Sequence, residues 1–165
     1  MFSATLAAIP CVGLLVQACA DEPPAIKKLG TLVCDLVEAT PVVFEGRLYR
    51  FEYVRDQHYK PNTTGQSYFR FVDVATGQFT PGFAQGYHLG SAFIEGDRAY
   101  AFGVDIWDGE RIQVFWSDDL GTWHDQPALV LRGWGIFNTS VCKGPDGYVM
   151  AFEIGRPAEE TGVAF

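Results

Sequence analysis

Three copies of one short pattern constrain this chain more than any other feature. The first is Val42-Val43-Phe44-Glu45-Gly46-Arg47-Leu48-Tyr49-Arg50-Phe51-Glu52. It returns as Ala92-Phe93-Ile94-Glu95-Gly96-Asp97-Arg98-Ala99-Tyr100-Ala101-Phe102 and, slightly longer, across Ser140 to Glu153. Each copy is an apolar run, an acidic residue beside Gly, and an aromatic-rich alternating run. Glycine takes positive φ freely, so an acid-Gly step between two such runs predicts a β-hairpin. Set on Phe51, Phe102 and Phe152, the copies step by 51 and 50 residues, a period of the size that repeat architectures show.

A second half follows the first two copies, at Ser67 to Phe79 and at Arg111 to Trp123. Both read as a strand, an Asp turn, a Gly and an aromatic. One unit is then two hairpins, or four antiparallel strands, which is the make-up of a β-propeller blade. The expected fold is all-β, a β-propeller of four-stranded antiparallel blades. A β-sandwich is the alternative, but it leaves the repetition unexplained. The units are expected at about 40–85 and 91–130, with a lone hairpin at about 138–155 and no helix longer than two turns between Thr40 and Phe152. That amounts to about two and a half blades by Phe165, too few to close a ring of roughly four to eight. The sequence therefore reads as part of a longer protein, or as one completed by another chain.

The 165 residues are 48% hydrophobic and 15% aromatic, enough apolar material for one core and too much for disorder. A net charge of -8 excludes a surface for nucleic acid or anionic membranes. Eighteen Gly and nine Pro in short clusters fit many turns.

Residues 1–20 carry no charge. Their apolar core, Leu6 to Val16, is short for a membrane span and is interrupted by Pro10. It reads as an export signal, with Ala18-Cys19-Ala20 as the cleavage region, although no Lys or Arg precedes the apolar run. Leu15 to Cys19 also resembles a bacterial lipoprotein box, which would put a lipid anchor on Cys19. Export to the periplasm, the exterior or a lipid-anchored state is the expectation. Residues 21–39 read as a linker and a lead-in strand, and 40–165 as the propeller domain. Cys34 and Cys142 each sit in an apolar run; both read as buried free thiols, with a disulfide between them as the alternative.

In such a fold the starts of first strands and the ends of second strands gather around the axis. The starts are Thr40, Gly90 with Ser91, and Asn138 with Ser140. The ends are Glu52 to Arg55, Asp105, and Glu153 to Arg156. Alternation turns Glu52 and Glu153 away from Phe51 and Phe152, and gives Asp105 the same parity. Three carboxylates would thus converge near Arg55 and Arg156. Paired carboxylates are what glycoside hydrolysis needs, one protonated and one ionised. The competing reading pairs Glu52 and Glu153 structurally with the two arginines. Trp134, His88 and Tyr59 are expected in loops on the same face. There aromatic rings would stack on sugars, and Asn138, His88 and Arg55 would bond hydroxyls. His58 and His88 have no third ligand at matching spacing, so no metal is expected, and no cofactor motif is present.

Ser117-Asp118-Asp119-Leu120-Gly121-Thr122-Trp123 fits an S-x-D-L-x-x-W pattern. With the hairpin repeat, it resembles the five-bladed propeller glycoside hydrolases, the family 43 arabinanases and xylosidases and the related family 32 fructosidases. The resemblance runs from about Thr40 to Phe165. It implies a truncated five-bladed propeller acting on an oligosaccharide or polysaccharide, with no cofactor and no nucleic-acid partner. It implies that Ser117 and Asp119 cap a turn and that Trp123 packs between blades. It also implies that Glu153, in Asp146 to Gly155, is the general acid. Two departures stand beside it. Thr40-Pro41 replaces an expected Asp-Pro, and Gly90-Ser91 stands where a second Asp is expected. Glu52 and Asp105 are then the nearest substitutes. Otherwise the chain is a propeller that binds sugar without cleaving it or, more remotely, one that docks proteins.

Overall fold

The computed structural model describes residues 27, 36–55, 67–107, 109–155 and 161–164. The readings on residues 1–20, Cys34, His58, Tyr59 and Arg156 fall outside these. Ten strands follow in order: β1 (Leu36–Phe44), β2 (Arg47–Arg55), β3 (Ser67–Asp73), β4 (His88–Glu95), β5 (Arg98–Val104), β6 (Arg111–Ser117), β7 (His124–Val130), β8 (Gly135–Gly144), β9 (Gly147–Gly155) and β10 (Thr161–Ala164). The described residues contain no helix. Three antiparallel sheets form in chain order, β1-β2-β3, β4-β5-β6-β7 and β8-β9-β10. The all-β expectation is met at this level. The chain divides into two units between Leu32 and Val33, and every strand lies in the second.

The sheets depart from the expected units in three places. β1 reaches back to Leu36, into the stretch read as a lead-in. The third sheet is more than a hairpin, because β10 pairs with β9 from Thr161–Gly155 to Ala164–Phe152. The first sheet has isolated bridges in place of a regular fourth strand, Phe79 to Val72 and Phe83 to Phe69. Pro81 lies between those bridges and has no N–H to give a ladder, which explains the interruption.

Each first hairpin turns on two residues, Glu45-Gly46, Gly96-Asp97 and Pro145-Asp146. Glu45 (φ 48) and Gly46 (φ 73) are both left-handed, the requirement of a type I′ turn. The glycine does not hold one place: it is second in the first turn, first in the second, and follows the third turn. Register therefore differs from the alignment on phenylalanines. Four residues beyond the last hairpin pair stand Phe51, Phe102 and Ala151, not Phe152. A slip of one residue moves a side chain to the other face of its sheet. Glu153 is thus level with Tyr53, and Phe152 with Glu52.

The core between the first two sheets is aromatic. Phe51, Phe69 and Phe71 are fully buried. Phe83 stacks on Trp123 with centroids 3.7 Å apart, and Phe71 lies 5.9 Å beyond. This is the inter-sheet place expected for Trp123. Two glycines make room: a Cβ on Gly90 or Gly103 would come within 2.6 Å of the Phe69 ring. The Ser-Asp turn also behaves as expected. Asp119 accepts bonds from the Gly121 and Thr122 N–H groups at 2.7 Å and from Ser117 Oγ at 2.9 Å. These donors hold its carboxyl down to about 2. Cys142 is exposed, against the expectation of a buried thiol. It lies in an alternating strand, at an outward position.

Candidate functional site

The first strands of the three sheets lie side by side, β1 against β4 and β4 against β8. Ser91 on β4 and Thr139 on β8 join their hydroxyls at 2.9 Å. Each first strand carries one extra residue near its start: between Leu36 and Glu38, between His88 and Ser91, and between Phe137 and Ser140. These are β-bulges, which re-aim side chains and occur often beside active sites. In two of them a residue other than glycine is left-handed, Leu89 (φ 53) and Asn138 (φ 51). Asparagine tolerates that conformation, but for a buried leucine it is strained.

The bulge in β1 places Glu38 opposite Tyr53. Paired residues share a face, so Glu38, Tyr53 and Arg55 project together. Burial pushes the Glu38 carboxyl from its ordinary 4.5 up to about 7; the Arg55 charge pulls it down and the Glu153 charge pushes it further up. Charges on the first sheet, at Arg55, and on the third, at Glu153, thus both act on Glu38.

The surroundings of this pair are ordered. Arg55 Nε donates to Tyr53 Oη at 2.8 Å, and that oxygen lies 2.9 Å from His88 Nδ1. Tyr53 Oη thus links the Arg55 guanidinium to the His88 ring. The Arg55 guanidinium stands 5.5 Å from the Tyr53 ring and 5.4 Å from the Trp107 ring, both within cation–π range. The result is a cluster that holds an acid keeping its proton near neutrality, a second carboxyl group, a cation and aromatic side chains. That set suits proton transfer to an oxygen leaving group and stacking of a ring.

Of the residues singled out in the sequence, Glu153, Arg55 and His88 belong to this group. His88 is on a strand and only 5% exposed, so its place is beneath the site and not in a loop. Asn138 is also on a strand, exposed at the bulge of β8. Trp134 precedes β8 and packs half-buried against the core. Glu52 does not join the group. It is fully buried on the opposite face of sheet one, bonded by Arg50 Nε at 2.6 Å and Arg70 Nε at 2.8 Å. Asp105 is bonded by Arg111 and folds over its own turn, with Oδ1 3.4 Å from where a Cβ on Gly109 would lie. Register explains the separation: Glu52 and Glu153 occupy opposite faces of equivalent strands.

Glu38 and Trp107 were not singled out. Starting the strand at Thr40 leaves Glu38 in the lead-in, although it shares parity with Thr40 and so shares its face. Trp107 follows Asp105 by two residues in the β5–β6 connection and carries no pattern of its own. Among the described residues no three His, Cys, Asp or Glu side chains gather as a metal site, and no helix is long and apolar enough to cross a membrane.

No family model matches the chain, and no curated protein or solved structure is similar to it. The resemblance to propeller glycosidases rests on the residues already quoted.

Proposed function

We propose that the protein is an exported, carbohydrate-active β-propeller whose activity is glycoside hydrolysis. Three successive antiparallel sheets with adjacent first strands support the propeller reading. The observation that carries the activity is the Glu38–Glu153 pair. Glu38, protonated up to about 7, gives its proton to the glycosidic oxygen as the bond to the anomeric carbon breaks. Glu153 supplies the negative charge that activates water or attacks that carbon. Arg55 and Trp107 hold the sugar, and Tyr53 with His88 fixes Arg55. The acid role moves from Glu153 to Glu38, because it is Glu38 that burial keeps protonated.

The test uses arabino-, xylo- and fructo-oligosaccharides together with activated aryl glycosides. Glu38→Gln and Glu153→Gln should each lower hydrolysis of the oligosaccharides by about a hundred- to ten-thousand-fold. Glu38→Gln should leave the aryl glycosides much less affected, since their leaving groups need no proton. Undiminished oligosaccharide hydrolysis in either variant excludes the assignment. A second reading, sugar binding without cleavage, is favoured by one observation: Glu52 and Asp105 are both held in ion pairs with arginine. Calorimetric binding of an oligosaccharide with no turnover by the unmodified chain decides for it.

A further inference from the structure

Trp107, which meets Arg55, has Ile106 as its neighbour in the β5–β6 connection. Ile106 is 53% exposed and lines a groove of about 500 Å³ with Asp105, Glu110, Arg111, Pro127 and Val130. β6 and β7 set the face on which this groove lies. Arg111 pairs with Val130 and Gln113 with Pro127, and paired residues share a face. Gln113 is thus the next residue inward from Arg111 on the groove's own side of the sheet.

The polar atoms at this place are incompletely used. Arg111 is ion-paired with Asp105 through Nη2, but among the described residues its Nε is buried without a partner. Gln113 is only 6% exposed. Its Nε2 donates to Asp125 at 2.6 Å, whereas its Oε1 is buried and accepts from nothing among the described residues. The Asp125 carboxylate, an acceptor, sets the amide this way round. Tyr87 feels the same charges: burial and Asp105 push its phenol up, and Arg111 pulls it down. A buried donor or acceptor left unpaired is costly, and native structures hold few of them. A ligand hydroxyl can accept from Arg111 Nε and donate to Gln113 Oε1. Water has that chemistry too, but the apolar walls at Ile106, Pro127 and Val130 and a volume in the range of small-ligand sites favour a sugar. The Asp105–Arg111 pair adds a charged acceptor and donor for neighbouring hydroxyls.

We propose that this groove is a second saccharide subsite, holding a further sugar unit of the chain whose bond lies at Glu38. The inference rests on the carbohydrate reading above and narrows its substrate class to long oligosaccharides or polysaccharides. Asp105 and Arg111 then bind sugar and take no part in the chemistry. One connection serves both places, with Trp107 at the cluster and Ile106 at the groove.

The test adds arabino-, xylo- and fructo-oligosaccharides, as di- and hexasaccharides, to the intact nitrogen-labelled chain and follows side-chain signals by NMR. In at least one series the hexasaccharide should move the Arg111 Nε–H and Gln113 Nε2 signals, and the disaccharide should move them much less. Arg111→Lys keeps the charge beside Asp105 but loses Nε, and should weaken hexasaccharide binding by at least about tenfold. Val130→Asp, at an exposed wall of the groove, should weaken it as much. Unmoved signals from Ser117 to Trp123 show that each variant is folded. Hexasaccharide binding undiminished in both variants overturns the subsite, as do equal shifts from the two chain lengths. Arg111 and Gln113 signals that no series moves overturn it as well, and hydrolysis in that case leaves the Glu38 reading standing. Signals moved by the hexasaccharide without hydrolysis support the subsite and end the hydrolase reading.

Discussion

Glu38→Gln should stabilise this protein, and only at the higher end of the pH range. In the unfolded chain Glu38 ionises near its ordinary 4.5, whereas in the folded chain it keeps its proton up to about 7. Between those values the folded state holds more protons than the unfolded, so stability falls as pH rises through the window from about 4.5 to 7. The two values differ by about 2.5 pH units, which at about 1.4 kcal/mol each corresponds to roughly 3.5 kcal/mol. Glu38 is partly open to water, and screening reduces the expectation to about 2 kcal/mol. Glutamine keeps the shape and removes the charge that burial disfavours. The assay is urea unfolding of both proteins at pH 4 and pH 8, with the stability difference compared between the two. That double difference cancels packing changes common to both pH values. The variant should gain about 2 kcal/mol on the unmodified protein at pH 8 relative to pH 4, with an unchanged denaturant slope. An equal difference at both pH values would mean that Glu38 ionises freely in the fold, and the carboxylate-pair argument would fall with it.

Two further outcomes test the architecture. Glu52→Gln leaves Arg50 and Arg70 with a buried neutral partner, and should lower stability by about 3–5 kcal/mol in thermal or urea unfolding; a loss under 1 kcal/mol would show that water reaches both arginines. Gly103→Ala puts a methyl 2.6 Å from Phe69 and 3.1 Å from the His88 carbonyl, so it should cost at least about 1–3 kcal/mol and shift the Tyr53–His88 resonances, while a neutral effect would mean the two sheets part easily.

The sequence determined what short-range chemistry can determine. Two-residue turns at Glu45-Gly46 and Gly96-Asp97 and alternation along β2, β5 and β9 follow from neighbours in the chain, so all three hairpins were legible. So was the Ser117–Asp119 turn, because its bonds span only a few residues. The tertiary structure decided which face each carboxylate occupies. The glycine shifts place among the three turns, and one residue of register sends Glu52 to an arginine clamp and Glu153 toward Glu38. It also decided the ionisation of Glu38, whose raised pKa comes from burial and from a charge more than a hundred residues away in sequence. The bulges that aim Glu38 and strain Leu89 are an accommodation between paired strands, and no single strand's sequence contains them. Local geometry is set by dihedral preferences of adjacent residues; register, burial and electrostatic coupling exist only once distant strands share a core.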